Sequence, residues 1–252
     1  DVLFTFSDTI SVVESCWYSN DTYLINRSLV CGTNLTNITW SEGLHNITIY
    51  VNDSAGNLNY TGVSFRIDTT GPVVDITSPA LNNSNSSNTG LDILITQTDS
   101  GVGSLSQCWY SNDSYLINRS FGCGTNLTNI TWSEGKHNLT VYSNDTLGTY
   151  GQDSLSFSID SGSPSLNITN PAVNNSNTTD TSLDVLFTFS DTISVVESCW
   201  YSNDTYLINR SLVCGTNLTN ITWSEGLHNI TIYVNDSAGN LNYTGVSFRI
   251  DT

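Results

Sequence analysis

The sequence predicts an all-β chain of tandem antiparallel β-sandwiches, each carrying one disulfide. Three observations lead there. The stretch Ser15–Asp53 returns at Gln107–Asp145 in altered form and at Ser198–Asp236 unchanged. Apolar and polar residues alternate with a period of two, the mark of strands with one buried face. The six cysteines fall into three equally spaced pairs, Cys16/Cys31, Cys108/Cys123 and Cys199/Cys214.

The repeat sets the organisation. Cys-Trp pairs begin at Cys16, Cys108 and Cys199, in steps of 92 and 91 residues. Such a unit can bury a core of its own, yet is small enough to gain from a staple. Residues 1–69 and 184–252 are identical, whereas the middle copy differs in many places, so the order is A–B–A. Gly and Pro mark turns between compact units in Asp68–Pro72 and Asp160–Pro164. The expected modules are therefore 1–71, 72–163 and 164–252. The first lacks a counterpart of Pro164–Leu183, so the chain is expected to be a window of a longer repetitive protein, with the first strand missing from that copy.

The alternation is clear at Val2/Phe4/Phe6, Ile47/Ile49/Val51 and Val63/Phe65/Ile67. Turn clusters such as Ser41–Gly43 and Asp53–Asn57 separate these runs. In the complete A copy, strands are expected near 165–169, 183–190, 197–202, 205–209, 219–223, 228–235 and 243–250. About seven short antiparallel strands in a unit of this length read as a sandwich of immunoglobulin type. Differences between copies fit this phase. Ile47 and Ile49 become Leu139 and Val141 on the inner face, Leu44 becomes Lys136 at a position that must be exposed, and one extra residue falls in the loop Asp99–Gly103.

Charge excludes several functions. The net charge is −17, with 23 acidic residues against Arg27, Arg66, Arg119, Arg210, Arg249 and Lys136. No basic patch exists to follow a phosphate backbone, so no nucleic acid is expected as a partner. An anionic membrane would repel the chain. No apolar run approaches the roughly 20 residues that span a bilayer, so no direct membrane insertion is expected in this segment. The cysteine pairs are expected to close one disulfide per module, since a lone pair without nearby histidine or further cysteine makes a poor zinc site. A loop of this length stabilises by about 3 kcal/mol, and disulfides imply an extracellular or cell-surface location.

The runs DTTGPVVDITSP (from Asp68) and SEGLHNITIYVNDSAGN (from Ser41) resemble the tandem Ig-like repeats of bacterial and archaeal surface proteins. The CWYSN element with its Asn/Thr-rich strands is most similar to archaeal cell-surface examples. The resemblance spans all three modules and implies stalks, adhesins, surface layers or extracellular filaments. Fold-level likeness does not choose among them.

Asn-x-Ser/Thr is the densest motif, with 25 occurrences. They are Asn20, Asn26, Asn34, Asn37, Asn46, Asn52 and Asn59 in the first copy; Asn82, Asn85, Asn112, Asn118, Asn126, Asn129, Asn138 and Asn144 in the second; and Asn167, Asn174, Asn177, Asn203, Asn209, Asn217, Asn220, Asn229, Asn235 and Asn242 in the third. N-linked glycans are expected at many of them. Polar alternation in strands also generates such triplets by accident.

Other motifs read as structural. His45, His137 and His228 are one repeated position with the parity of the buried strand face. Trp17, Trp109 and Trp200 beside a cysteine, and Trp40, Trp132 and Trp223 before Ser-Glu-Gly, are expected to pack on the disulfide or the sheet core rather than serve as sugar platforms. The acidic turns Asn20-Asp21, Asp53 and Asp68 offer oxygens to Ca²⁺ at module junctions; solvated turn residues are the main reading and Ca²⁺ the minor one. No motif of a catalytic site or phosphate loop occurs. The expectation is a structural repeat protein of an extracellular filament or surface fibre, without catalysis, self-associating end to end or by strand exchange. The alternative is an adhesin or receptor stalk that binds or presents a glycan or other cell-surface ligand.

Overall fold

A computed structural model describes residues 1–21, 25–113, 117–205 and 208–252. The first copy holds β1 (Val13–Asn20), β2 (Asn26–Leu29), β3 (Gly43–Asp53) and β4 (Leu58–Ile67). The second holds β5 (Val73–Ser78), β6 (Ser84–Ser86), β7 (Leu94–Thr98), β8 (Leu105–Asn112), β9 (Asn118–Phe121), β10 (Gly135–Asp145) and β11 (Tyr150–Ile159). The third holds β12 (Ser165–Asn170), β13 (Ser176–Thr178), β14 (Leu186–Ser190), β15 (Val196–Asn203), β16 (Asn209–Leu212), β17 (Gly226–Asp236) and β18 (Leu241–Ile250).

The fold is all-β. In the third copy a five-stranded sheet, β13-β18-β17-β15-β16, packs on the pair β12-β14; the second copy repeats this with β6-β11-β10-β8-β9 on β5-β7. The inner faces make separate cores. In the third copy Phe187 joins Trp223, Ile230, Ile232, Phe248 and Ile250, with Leu166 and Ile168 of β12 against them. Trp223 donates its indole N–H to the Leu183 carbonyl (2.8 Å) and stands edge-on to Phe248. Disulfides Cys16–Cys31, Cys108–Cys123 and Cys199–Cys214 tie β1, β8 and β15 to the turns that follow the edge strands β2, β9 and β16 beside them.

One strand expectation is overturned. Residues 219–223 form no strand despite alternating apolar and polar residues, because Asn220 takes a left-handed φ of 60°, as do Asn37 and Asn129. Asn tolerates that conformation better than other non-glycine residues. Asn220→Val is expected to cost its module about 1–2 kcal/mol, read as a lowered urea midpoint. Conversely, β13 was not expected, and it pairs parallel to β18, so the sheet is mixed. Its Ser-Asn-Thr sequence has no apolar signal. It is set in place by the preceding turn, where Asn174 Oδ1 accepts the Ser247 N–H at 2.8 Å. The strand expected near 205–209 falls partly outside the described residues, and Asn209–Leu212 is the strand found there.

The first copy shows what β12 and β13 contribute. Its Val2/Phe4/Phe6 run forms only a bridge, Val2 to Leu35, and no strand, because among the described residues nothing pairs with it as β12 pairs with β14. Val63 is 48% exposed where the identical Val246 is 6% exposed. Phe65 and Ile67 are half-buried where Phe248 and Ile250 are buried. A groove of about 830 Å³, lined by Phe4, Phe6, Ile49, Val51, Leu58 and Tyr60, lies over this face.

Candidate functional site

The chemistry gathers where one copy meets the next. At the first junction, Asp68 from the linker meets Asp99 and Asp145; at the second, Asp160 meets Asp191 and Asp236. Each aspartate contributes an oxygen, and within a cluster these lie within 4.8 Å of one another. Loop geometry sets the arrangement. The linker carboxylate accepts a backbone N–H from the following copy, Gly103 to Asp68 Oδ2 (2.7 Å) and Ser194 to Asp160 Oδ2 (3.0 Å). Asp99 and Asp191 open that loop and accept the Gly101 and Ile193 N–H groups (both 2.9 Å). Asp145 and Asp236 end the long core strand and accept backbone N–H groups of the following turn.

Asp145, Asp160 and Asp236 are buried. Among the described residues no Lys or Arg pairs with any of the six carboxylates. Burial opposes the charge on Asp236, but the Asn240 side chain and backbone outweigh it and hold the pKa below the usual value. The Thr149 hydroxyl, against burial, does the same for Asp145. Asp68 is also lowered: burial opposes its charge, and the Gly103 and Thr70 N–H groups prevail.

Other contacts cross the same junctions. Arg66 donates to the Val102 carbonyl (3.1 Å), Thr149 to the Thr70 carbonyl (3.0 Å) and Asn240 to the Asp160 carbonyl (2.7 Å). Gly71 and Gly151 bring linker and strand backbone so close that a Cβ on either would collide with the facing main chain.

Of the acidic turns singled out in the sequence, Asp68 belongs to a cluster. Asp53 faces Asp8 across Ser11, whose hydroxyl donates to Asp8 Oδ2 (3.0 Å) and Asp53 Oδ2 (2.6 Å). Asp21 lies elsewhere, on the ring of His45. The sequence reading missed Asp99 and Asp191. Their signal was present: with Asp8 they occupy one loop position in all three copies.

The histidines are structural. His45, His137 and His228 are buried, each with Nε2 on a backbone carbonyl and Nδ1 on an aspartate. For His45 the Ser41 carbonyl raises the pKa, burial opposes, and Asp21 adds to the rise. A raised histidine contributes stability below its ordinary 6.5 and loses it as pH climbs through the folded value. Asp53, lowered to about 2 by the Ser11 hydroxyl and Asn57, contributes above 3.8 and loses it as pH falls toward 2. The urea midpoint of the first copy is therefore expected to fall on both sides of a plateau between about pH 4 and 6.5; a midpoint flat from pH 2 to 8 contradicts both assignments.

The tryptophans divide. Trp132 and Trp223 are buried, and Trp40 is half-buried against Phe65. Trp17, Trp109 and Trp200 instead stay half-buried on the outer sheet face, because each stands opposite a tyrosine in register and stacks on it: Tyr50, Tyr142 and Tyr233, at 5.4–5.5 Å. Packing on the sheet core holds for one set only. None of the 25 sequon asparagines is buried. Asn85 and Asn242 use their side-chain N–H to reach Ser237 (2.6 Å) and the Pro164 carbonyl (2.8 Å).

No family model and no curated protein matches the chain. Among solved structures it is similar to three N-terminal domains of the Highly Immunogenic Outer Capsid protein of bacteriophage RB49, at 10% identity and TM-score 0.48 over 98% of this chain and 92% of that one. It is similar to fibronectin(III)-like modules of Clostridium thermocellum CbhA, at 16% identity and TM-score 0.40 over 71% and 94%. A 1.5-MDa bacterial ice-binding adhesin matches at 16% identity and TM-score 0.33 over 95% and 88%. Such distant likenesses carry no functional argument, and the assignment of the fold rests on the strands, registers and cores above.

Proposed function

We propose that the chain is a structural repeat segment of an extracellular filament or cell-surface fibre, with glycans on its sides. The observation that carries this reading is the junction. The A-to-B and B-to-A contacts join different pairs of modules, yet a linker aspartate is seated on the same loop of the next copy in each. A joint that ignores module type can be repeated without limit, which a fibre requires and a single binding site does not. Modules at 1–71, 72–163 and 164–252 are the units so joined. The three disulfides favour an extracellular setting, and the accessible sequons favour N-glycosylation.

Electron microscopy of native material, with mass spectrometry of its glycopeptides, tests this. Periodic filaments bearing sugar at the sequons are expected; isolated unglycosylated monomers would refute it. Strand addition is the finer form of self-association. A peptide spanning Pro164–Leu183 is expected to bind the first-copy groove in a 1:1 ratio by calorimetry, and a chain that ignores it excludes that route.

An adhesive stalk is the second reading, favoured by the exposed aromatic rows. Tyr60 and Tyr243, 68% and 64% exposed, extend the Trp17–Tyr50 and Trp200–Tyr233 stacks. Saturable glycan binding lost in Trp200→Ala would favour it.

A further inference from the structure

We propose that the glycan of one repeated sequon, Asn26, Asn118 and Asn209, folds back onto a tryptophan of its own module, Trp17, Trp109 and Trp200, and that the groove between them is its docking site. Register brings the parts together. In every copy the tryptophan stands opposite the serine of that sequon on the adjacent edge strand: Trp17 opposite Ser28, Trp109 opposite Ser120 and Trp200 opposite Ser211. The asparagine lies two residues away, on the same outer face of the sheet. The indoles are parallel to their tyrosines within 4–7°, with centroids 5.4–5.5 Å apart. That distance is little more than the spacing of neighbouring strands, about 4.8 Å. The indoles therefore stand upright on the sheet, one face on tyrosine and the other turned to the edge strand. Register places a small serine before that second face. In the second copy a groove of about 610 Å³ opens there, lined by Trp109, Asn118, Ser120, Gln107 and Phe121. Its size falls in the range of about 300–1,000 Å³ usual for small-molecule clefts.

The chemistry of the groove suits a sugar. The C–H groups on one side of a pyranose ring carry partial positive charge, and an aromatic face is negative. A sugar joined to the wall of the groove is also present at high effective concentration, so a weak stacking contact is enough to hold it. The other outer-face sequons are placed less well. Asn46, Asn138 and Asn229 accept the Ser64, Ser156 and Ser247 hydroxyls at 2.5–2.7 Å. Asn52, Asn144 and Asn235 follow the stacked tyrosine along its own strand, and so stand beside ring edges rather than ring faces. Asn26, Asn118 and Asn209 are exposed. A sugar laid between them and the indoles would also shield the open edges of β2, β9 and β16 from pairing with another sheet. The inference rests on the glycosylation in the proposed function, and adds which sugar is held and by what.

Glycopeptide mass spectrometry of native material tests occupancy, and variants of the 252-residue chain made in a glycosylating host test the contact. Sugar is expected on Asn118. Asn118→Gln and Ser120→Ala both remove it, and are expected to lower the Tm of the second copy alike, by about 4 °C or more. With Trp109→Ala already in place neither should lower it further, whereas Trp109→Phe should keep most of the effect. Removing all three sugars by Ser28→Ala, Ser120→Ala and Ser211→Ala should open the outer tryptophans to acrylamide quenching, a readout that does not depend on how Trp109→Ala folds. An equal loss of Tm with and without the indole, or unchanged quenching, overturns the proposal. Bare Asn26, Asn118 and Asn209 beside occupied sequons elsewhere overturn it and leave the glycosylation reading standing. A chain bare at every sequon overturns both.

Discussion

Phe248→Ala is expected to destabilise its module by about 3–5 kcal/mol, the cost of emptying a large buried aromatic site, while Phe65→Ala at the identical position of the first copy costs measurably less. Phe248 is fully buried against Trp223 and His228. Phe65 has the same local sequence, the same partner strand and the equivalent contacts to Trp40 and His45, yet stays half-buried because no strand covers it. The pair thus separates what the residue contributes from what β12 and β13 contribute. By calorimetry the transition of the third copy should fall by at least about 10 °C in Phe248→Ala, with the Phe65→Ala shift less than half as large. Equal shifts would mean that the two copies are equally closed.

Loss of the disulfide is the second large effect. Opening Cys199–Cys214 by Cys199→Ser with Cys214→Ser is expected to remove about 3 kcal/mol, since the closed loop spans 15 residues. The third copy should survive this, because its core is closed on both faces. Opening Cys16–Cys31 should unfold the first copy outright, since among the described residues only Leu35, Ile47 and Ile49 form its buried cluster. Urea titration with and without reductant reads both; a first copy as resistant as the third would contradict the ranking.

Much of the fold was legible because the repeat printed it three times. The core strands β3, β10 and β17 appear as alternation, and the Ile47-to-Leu139 and Leu44-to-Lys136 differences fix which face is inside. Lys136 and Leu44 are indeed exposed. Alternation misled at 219–223, where one left-handed asparagine ends the extended backbone, a local preference that period counting does not register. It was silent at β13, a polar strand placed by its turn rather than by a buried face. The outer stacks of Trp17 and Trp200 escaped for another reason. A tryptophan beside a buried cysteine points to the opposite face, and its partner tyrosine is fixed by register across the sheet. The junction clusters were half-readable. Asp68 and Asp53 stood out in turns, whereas the role of Asp99 and Asp191 depends on a linker from the preceding copy folding back onto their loop, a contact that no single-copy pattern contains.

Pulling the chain from its two ends by single-molecule force spectroscopy tests most directly the claim that these are sandwiches joined in series to bear load. Two strong rupture events are expected, from residues 72–163 and 164–252, with a weaker one from the less buried first copy. Each step should add about 3.3–3.6 Å per released residue. Reduction should lengthen each step by about 50 Å, the 15 residues held behind each disulfide. A single rupture of the whole chain, or extension without resolved force peaks, would contradict the account.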